Sequence, residues 1–243
     1  MGASKMNRRK MLKTAGTALL ALAPGVRLVD LAVAASKGGS TEDLVRWGML
    51  VDTTKCADGC TDCVDACNQE HGLYGKGRPE TDAQYIRVVE VHDPATGRDH
   101  SFPVMCQHCE TAPCVDVCPT GASFRREDGV VLVDKHTCIG CRYCMLACPY
   151  KARSFIHENL TDQVPHTPRG KGTVESCNFC THRVDRGGTP ACVEACEDAG
   201  HQALVFGDMN DPDSELSGQL KEKSTTQIRS DLNLNTGVRY HGV

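Results

Sequence analysis

Sixteen cysteines in 243 residues constrain this chain more than any other feature, because they divide into four sets of four with none left over. The sets are Cys56, Cys60, Cys63 and Cys67; Cys106, Cys109, Cys114 and Cys118; Cys138, Cys141, Cys144 and Cys148; and Cys177, Cys180, Cys192 and Cys196. Each set closes on a C-x3-C step, and the second and third run straight into Pro119 and Pro149. The flanking residues repeat as well. Met49-Leu50-Val51-Asp52 stands before Cys56 as Val131-Leu132-Val133-Asp134 stands before Cys138, each Asp four residues ahead of its cysteine. Ala112-Pro113-Cys114-Val115-Asp116-Val117-Cys118 parallels Pro190-Ala191-Cys192-Val193-Glu194-Ala195-Cys196, so the chain reads as a duplicated unit of two motifs.

The third set, C-x2-C-x2-C-x3-C-P, has the spacing that holds [4Fe–4S] clusters. The short gaps let three thiolates converge from one loop, and the last step sends the fourth toward a neighbouring cluster. Three other uses of cysteine fit less well. Disulfides suit an even count in an exported protein, but tight C-x2-C elements and Cys-Pro endings are cluster-loop features. Zinc ribbons pair two knuckles and do not need runs of four closely spaced cysteines, and metal analysis separates the two cases. Covalent haem needs C-x2-C-H, which does not occur, His182 lying one residue too far from Cys180. With five Phe and one Trp the chain is short of aromatic area to bury, so part of its core is expected to be a cofactor.

The first residues read as an address. Lys5, Arg8, Arg9, Lys10 and Lys13 precede an apolar run of roughly ten residues, half the length of a membrane-spanning helix. The string Asn7-Arg8-Arg9-Lys10-Met11-Leu12-Lys13 is similar to a twin-arginine (Tat) export signal. Residues 1–34 are therefore expected to be a signal peptide, cleaved after Ala34, leaving a periplasmic protein with no membrane span of its own. Without those residues the net charge is −9, since they hold six of the 27 basic and one of the 31 acidic residues. An acidic domain without a basic stripe has no footprint for nucleic acid.

Between the cysteine loops the pattern is of short strands and short helices, an α+β fold. Residues Ser123 to Arg126 and Val130 to Val133 flank Asp128-Gly129, a hairpin turn. Tyr85 to Val91, Ser154 to His157 and Ala203 to Phe206 read as further strands, and helical turns are expected at the closing C-x3-C steps. Thr161 to Lys171 reads as a surface connection, and Met209 to Val243 as a polar tail available to wrap a partner. Lys55, Arg142, Lys151, Arg153 and Arg183 lie near cysteines, where cations tune clusters, but solvated surface charge is the default for each. His108, His136 and His182 lack metal spacing and default to surface or satisfied core positions. No phosphate cradle, nucleophile elbow or convergent acid pair occurs, so no catalytic residue is assigned.

The four-motif layout, the export signal and the string Phe206-Gly207-Asp208-Met209-Asn210-Asp211-Pro212-Asp213-Ser214-Glu215 resemble the four-cluster ferredoxin subunits of membrane-bound redox enzymes, the NrfC/DmsB/PsrB type, over nearly the whole mature chain. Within that group Arg46-Trp47-Gly48-Met49-Leu50-Val51-Asp52, the Cys-Ala-Asp-Gly-Cys-Thr-Asp-Cys first motif and the ending Thr236-Gly237-Val238-Arg239-Tyr240 are most similar to the iron–sulfur subunit of DsrMKJOP complexes. The resemblance implies tandem bacterial-ferredoxin-like units around four [4Fe–4S] clusters, with crossed ligation. Cys56, Cys60 and Cys63 would join Cys196, and Cys67 would join Cys177, Cys180 and Cys192. Cys106, Cys109 and Cys114 would join Cys148, and Cys118 would join Cys138, Cys141 and Cys144. Spacing alone leaves this nested scheme and a sequential one equally open. The implied organisation is an outer lobe (35–100 with 170–207), an inner lobe (101–169) and a tail (208–243).

The implied function is non-catalytic electron relay between an NrfD-like integral membrane quinone-reactive subunit and a multihaem cytochrome c or other redox subunit, in sulfur metabolism. The alternative is the electron-transfer subunit of a molybdopterin oxidoreductase. Two departures from the family pattern stand out: the extra residue between Cys56 and Cys60, and Glu197-Asp198-Ala199-Gly200 where Pro usually follows the last cysteine.

Overall fold

The computed structural model describes residues 44–94, 97–161 and 163–243, and the expected signal segment lies outside them. Each element is short because cysteine loops interrupt the chain every few residues. Strand β1 (Trp47–Asp52) leads into a 3-10 turn and α1 (Asp62–His71), followed by the hairpin β2 (Ile86–Asp93) and β3 (Arg98–Met105). Then come α2 (Pro113–Asp116), β4 (Ser123–Arg125), β5 (Val131–Val133), α3 (Tyr143–Ala147), β6 (Ser154–Phe155) and β7 (Val174–Glu175). The remainder is α4 (Thr181–Val184), α5 (Ala191–Asp198), β8 (Leu204–Asp208), α6 (Glu215–Glu222) and β9 (Val238–His241). Among the described residues no helix is long and apolar enough to cross a membrane.

Strand pairing follows the duplication. The strand before the first motif pairs with the strand after the fourth, β1 antiparallel to β8 with Leu50 opposite Val205. The strand after the second motif pairs with the strand before the third, β4 antiparallel to β5 across the expected Asp128-Gly129 turn, where Gly129 takes φ +88°. Helices obey the same nesting: α1 packs on α5 and α2 on α3. Elements flanking the first and fourth motifs thus pack on one another, as do those flanking the second and third; these pairs are called the outer and inner lobes below.

The repeated Asp has a physical role. Asp52 Oδ1 accepts hydrogen bonds from the Thr54 N–H and hydroxyl, and Asp134 Oδ1 accepts from the His136 N–H, so each carboxylate caps the turn that delivers the chain to its first cysteine.

The residues after 208 are not the loose polar tail their composition suggests. Strand β9 adds to β1 in parallel, making a three-stranded sheet in the order β8-β1-β9, and Val238 and Tyr240 are fully buried. Helix α6 covers the opposite face, with Leu216 packed on Leu50 and Val205. Strand β1 is therefore buried on both faces, which is why Met49-Leu50-Val51 is an uninterrupted apolar run. The expected surface connection 161–171 also dips inward: Thr167 and Arg169 are buried. The main core is rich in sulfur, with ten of its 31 buried members being cysteines, packed among Met49, Val51, Met105, Phe179 and Tyr240.

Four candidate metal centres

Backbone conformation explains how each loop turns its thiols inward. In the first motif the extra residue is absorbed by a turn, Cys60 N–H to Ala57 O, with Gly59 at φ +72°. In the third, Gly140 and Arg142 take φ +71° and +65° between cysteines, and a Cβ at Gly140 would lie 2.1 Å from the Gly172 carbonyl oxygen. In the fourth, Phe179 and Cys180 are left-handed at φ +52° and +50°, an arrangement that non-glycine residues adopt only where packing enforces it. The C-x3-C steps start helices as expected, placing Cys63 and Cys67 on α1, Cys114 on α2, Cys144 on α3, and Cys192 and Cys196 on α5.

All sixteen cysteines are free thiols, and in two cavities three thiols of one sequence set meet one thiol of another. Cys56, Cys60, Cys63 and Cys196 line one cavity, walled by Phe102, Pro103 and Leu204. Cys118, Cys138, Cys141 and Cys144 line another, with Ile139, Arg142 and Val174. Burial and then the neighbouring Cys177, Cys192 and Cys180 push the Cys67 thiol well above its ordinary value. Burial, Cys114 and Cys148 push Cys109 up to about 12. Successive groups also touch electrostatically. Cys63 acts on Cys192, Cys177 on Cys106, and Cys144 on Cys114.

These thiols fit a metal cluster by their chemistry. Packed together and buried, they resist ionising on their own, as burial raises Cys56 to about 11 and Cys63 and Cys177 to about 12. A bound cationic core removes that penalty, because coordination deprotonates a thiol outright. Donors aimed at sulfur are already in place. Ser123 N–H lies 3.3 Å from Cys118 Sγ, Ala203 N–H 3.2 Å from Cys196 Sγ, and Arg153 Nη2 3.1 Å from Cys114 Sγ. At Cys118 burial raises the thiol pKa, but the Ser123, Thr120 and Ala122 hydrogen bonds outweigh it and lower the net value.

Residues without any spacing signal complete the surroundings. His71, buried at the end of α1, places Nε2 3.3 Å from Cys180 Sγ and is held neutral by burial, its pKa lowered to about 3. His182 bonds Glu70 at 2.6 Å and stacks on His166, which itself reaches the Glu70 carbonyl at 2.9 Å. His108, buried as the default reading allowed, accepts from Val131 N–H and stacks on Phe179 between the lobes, their ring centroids 3.7 Å apart. Only the position of His71, four residues after Cys67 on one helical face, could have flagged it in the sequence.

Residues 99–208 match the family described as 4Fe-4S dicluster domain. The Hdr-like menaquinol oxidoreductase iron–sulfur subunit 1 of Archaeoglobus fulgidus is 37% identical across 97% of this chain and 97% of its own length. Protein NrfC of Escherichia coli is 41% identical over 76% of this chain and 75% of its own. A tetrathionate reductase subunit of Salmonella typhimurium is 38% identical over 73% of this chain and 64% of its own. Cysteine loops that converge in space and a sulfur-lined core agree with that kinship, and the chain belongs to the NrfC/DmsB/PsrB-type family of [4Fe–4S] ferredoxin subunits, which carry electrons for oxidoreductase complexes and are not their catalytic chains.

Proposed function

We propose that this chain is an exported electron relay whose sixteen cysteines hold four [4Fe–4S] clusters in the nested scheme: Cys56, Cys60, Cys63 and Cys196; Cys67, Cys177, Cys180 and Cys192; Cys106, Cys109, Cys114 and Cys148; Cys118, Cys138, Cys141 and Cys144. The observation that supports this reading is that Cys196 lines one cavity with Cys56, Cys60 and Cys63, and Cys118 another with Cys138, Cys141 and Cys144. When bound, such clusters supply reversible one-electron storage at potentials set by their surroundings. The chain's part is to grip iron through thiolate, to aim N–H donors at sulfur, and to exclude water with α1, α5 and the sheet.

The relay joins an NrfD-like membrane quinone-reactive subunit to a multihaem cytochrome c or another redox subunit in a DsrMKJOP-like, sulfur-metabolising complex on the periplasmic side. The name of the Archaeoglobus relative, a menaquinol oxidoreductase subunit, supports the quinone side. Arg8 and Arg9 would direct export of the loaded protein. A second reading, the electron-transfer subunit of a molybdopterin oxidoreductase, is favoured by relatives named as subunits of dimethyl sulfoxide reductase and tetrathionate reductase.

Anaerobic purification should yield about sixteen iron and as many sulfide per chain; zinc without sulfide would overturn the proposal. Molybdenum in a co-purifying large subunit would select the second reading. Arg8→Lys with Arg9→Lys should leave loaded protein in the cytoplasm.

A further inference from the structure

A buried guanidinium keeps its charge at any pH a protein survives, so it needs a counter-charge. Two arginines are buried among the described residues, and they solve that problem differently. Arg169 grips Glu175 through Nε at 3.0 Å and Nη2 at 2.5 Å, and its Nη1 donates to the Gly72 carbonyl at 2.7 Å. Arg153 is 5% exposed and has no carboxylate partner among the described residues. Its Nη2 donates to Cys114 Sγ, while its Nε and Nη1 are buried with no partner. Its charge acts on Cys114, Cys106 and Cys144, which belong to both groups of the inner lobe.

The backbone fixes it there. The turn after Cys148, with Lys151 N–H on the Cys148 carbonyl and Lys151 at φ +53°, redirects the chain inward, and Ser154 is pinned by two hydrogen bonds to Gln84. A residue that was expected to be a solvated surface charge therefore occupies the seam between two sulfur-lined sites.

We propose that Arg153 is a positioning residue that sets the potentials of the inner pair of clusters: its fixed positive charge favours their reduced forms and so raises their reduction potentials. This rests on the cluster reading above. Adding an electron makes a cluster more negative by one charge, no proton is exchanged, and the unpartnered N–H groups supply the compensating field.

The test is a potentiometric titration followed by EPR on the anaerobically purified complex carrying the full chain, comparing wild type, Arg153→Gln, Arg153→Lys and the exposed-site control Arg186→Gln. In Arg153→Gln the signals assigned to the inner lobe, identified by their loss in Cys109→Ser and Cys144→Ser, should need at least a tenfold higher reduced-to-oxidised driving ratio. That is a downward shift of about 59 mV or more for a one-electron couple. The outer-lobe signals and the control should stay in place. Loaded Arg153→Gln protein with all midpoints unchanged overturns the inference and leaves the relay reading standing, whereas wild-type chain without iron and sulfide removes the relay reading itself. Should Arg153→Gln lose the inner clusters, Arg153→Lys decides. Retention with Lys shows that the charge is what the site requires, and loss with both shows that only shape mattered and overturns the proposal.

Discussion

The outer and inner pairs of motifs share the closing C-x3-C step and insulate their cysteines differently. In the inner lobe Pro119 and Pro149 follow the last cysteines, and helices α2 and α3 are four and five residues long. The residue before a proline is driven out of the helical region, as at Cys148 with ψ 113°. In the outer lobe Asn68 and Glu197 stand in those places, so α1 runs ten residues and α5 eight, and the two pack together over the sulfurs. The consequence is shielding. Cys67, Cys177, Cys180 and Cys192 are buried behind the Glu70–His182–His166 network, whereas Cys141 is exposed beside Ile139, Tyr143 and Leu146, the last 75% exposed. The far end of the outer lobe opens onto polar groups instead, with Cys60 beside Asp62 and His201. One end presents exposed apolar side chains and the other a polar Asp62–His201 pair, so the two ends suit partners of different surface chemistry.

The strongest way to break this contrast is to remove one ligand from each lobe. Cys144→Ser and Cys63→Ser should each lower the iron content from about sixteen to about twelve per chain and abolish different EPR signals. Loss of the same signal in both would dissolve the two-lobe picture. Next in size is Glu175→Ala, which strands Arg169 as a buried unpaired charge and should cost about 3–5 kcal/mol, read as a lowered thermal midpoint of the loaded protein.

The paired aspartates sharpen the comparison through pH. At Asp52 burial raises the carboxyl pKa, but Lys223 at 2.5 Å and Thr54 outweigh it, so the folded-state value lies below the ordinary one. A depressed carboxylate contributes stability above its unfolded pKa of about 3.9 and loses it as pH falls through the folded value. Asp52→Asn should therefore cost about 1–3 kcal/mol at neutral pH, with the gap from wild type closing in acid. Asp134→Asn, whose partner is a single backbone turn, should change stability less, as urea titrations at two pH values would show. The smallest effect expected is from Tyr240→Phe, which removes hydroxyl contacts to Gln107 and the Pro103 carbonyl and should cost about 1 kcal/mol in the same assay.

The cysteine sets, the Asp128-Gly129 hairpin and the helical C-x3-C steps were legible because each is local: spacing or a turn dipeptide within a few residues decides them. The capping role of Asp52 and Asp134 was half legible, visible as a repeat whose purpose only the turn geometry explains. What escaped depended on distant partners. Five cations sat near cysteines, and nothing in spacing separates Arg153, turned inward at Cys114, from Arg183, which pairs with Glu194. The terminal strand escaped for a related reason. Val238-Arg239-Tyr240-His241 does alternate inward and outward, but four residues of period two are a faint signal beside the polar stretch before them.

That terminal strand also orders events in time. Strand β1 lies between two strands far downstream, β8 (Leu204–Asp208) and β9 (Val238–His241), so during synthesis it has neither partner until those residues have been made. The inner hairpin, closed by neighbours in sequence, is free to form much earlier. Folding should therefore proceed from the middle of the polypeptide outward, and closure of this sheet marks its completion.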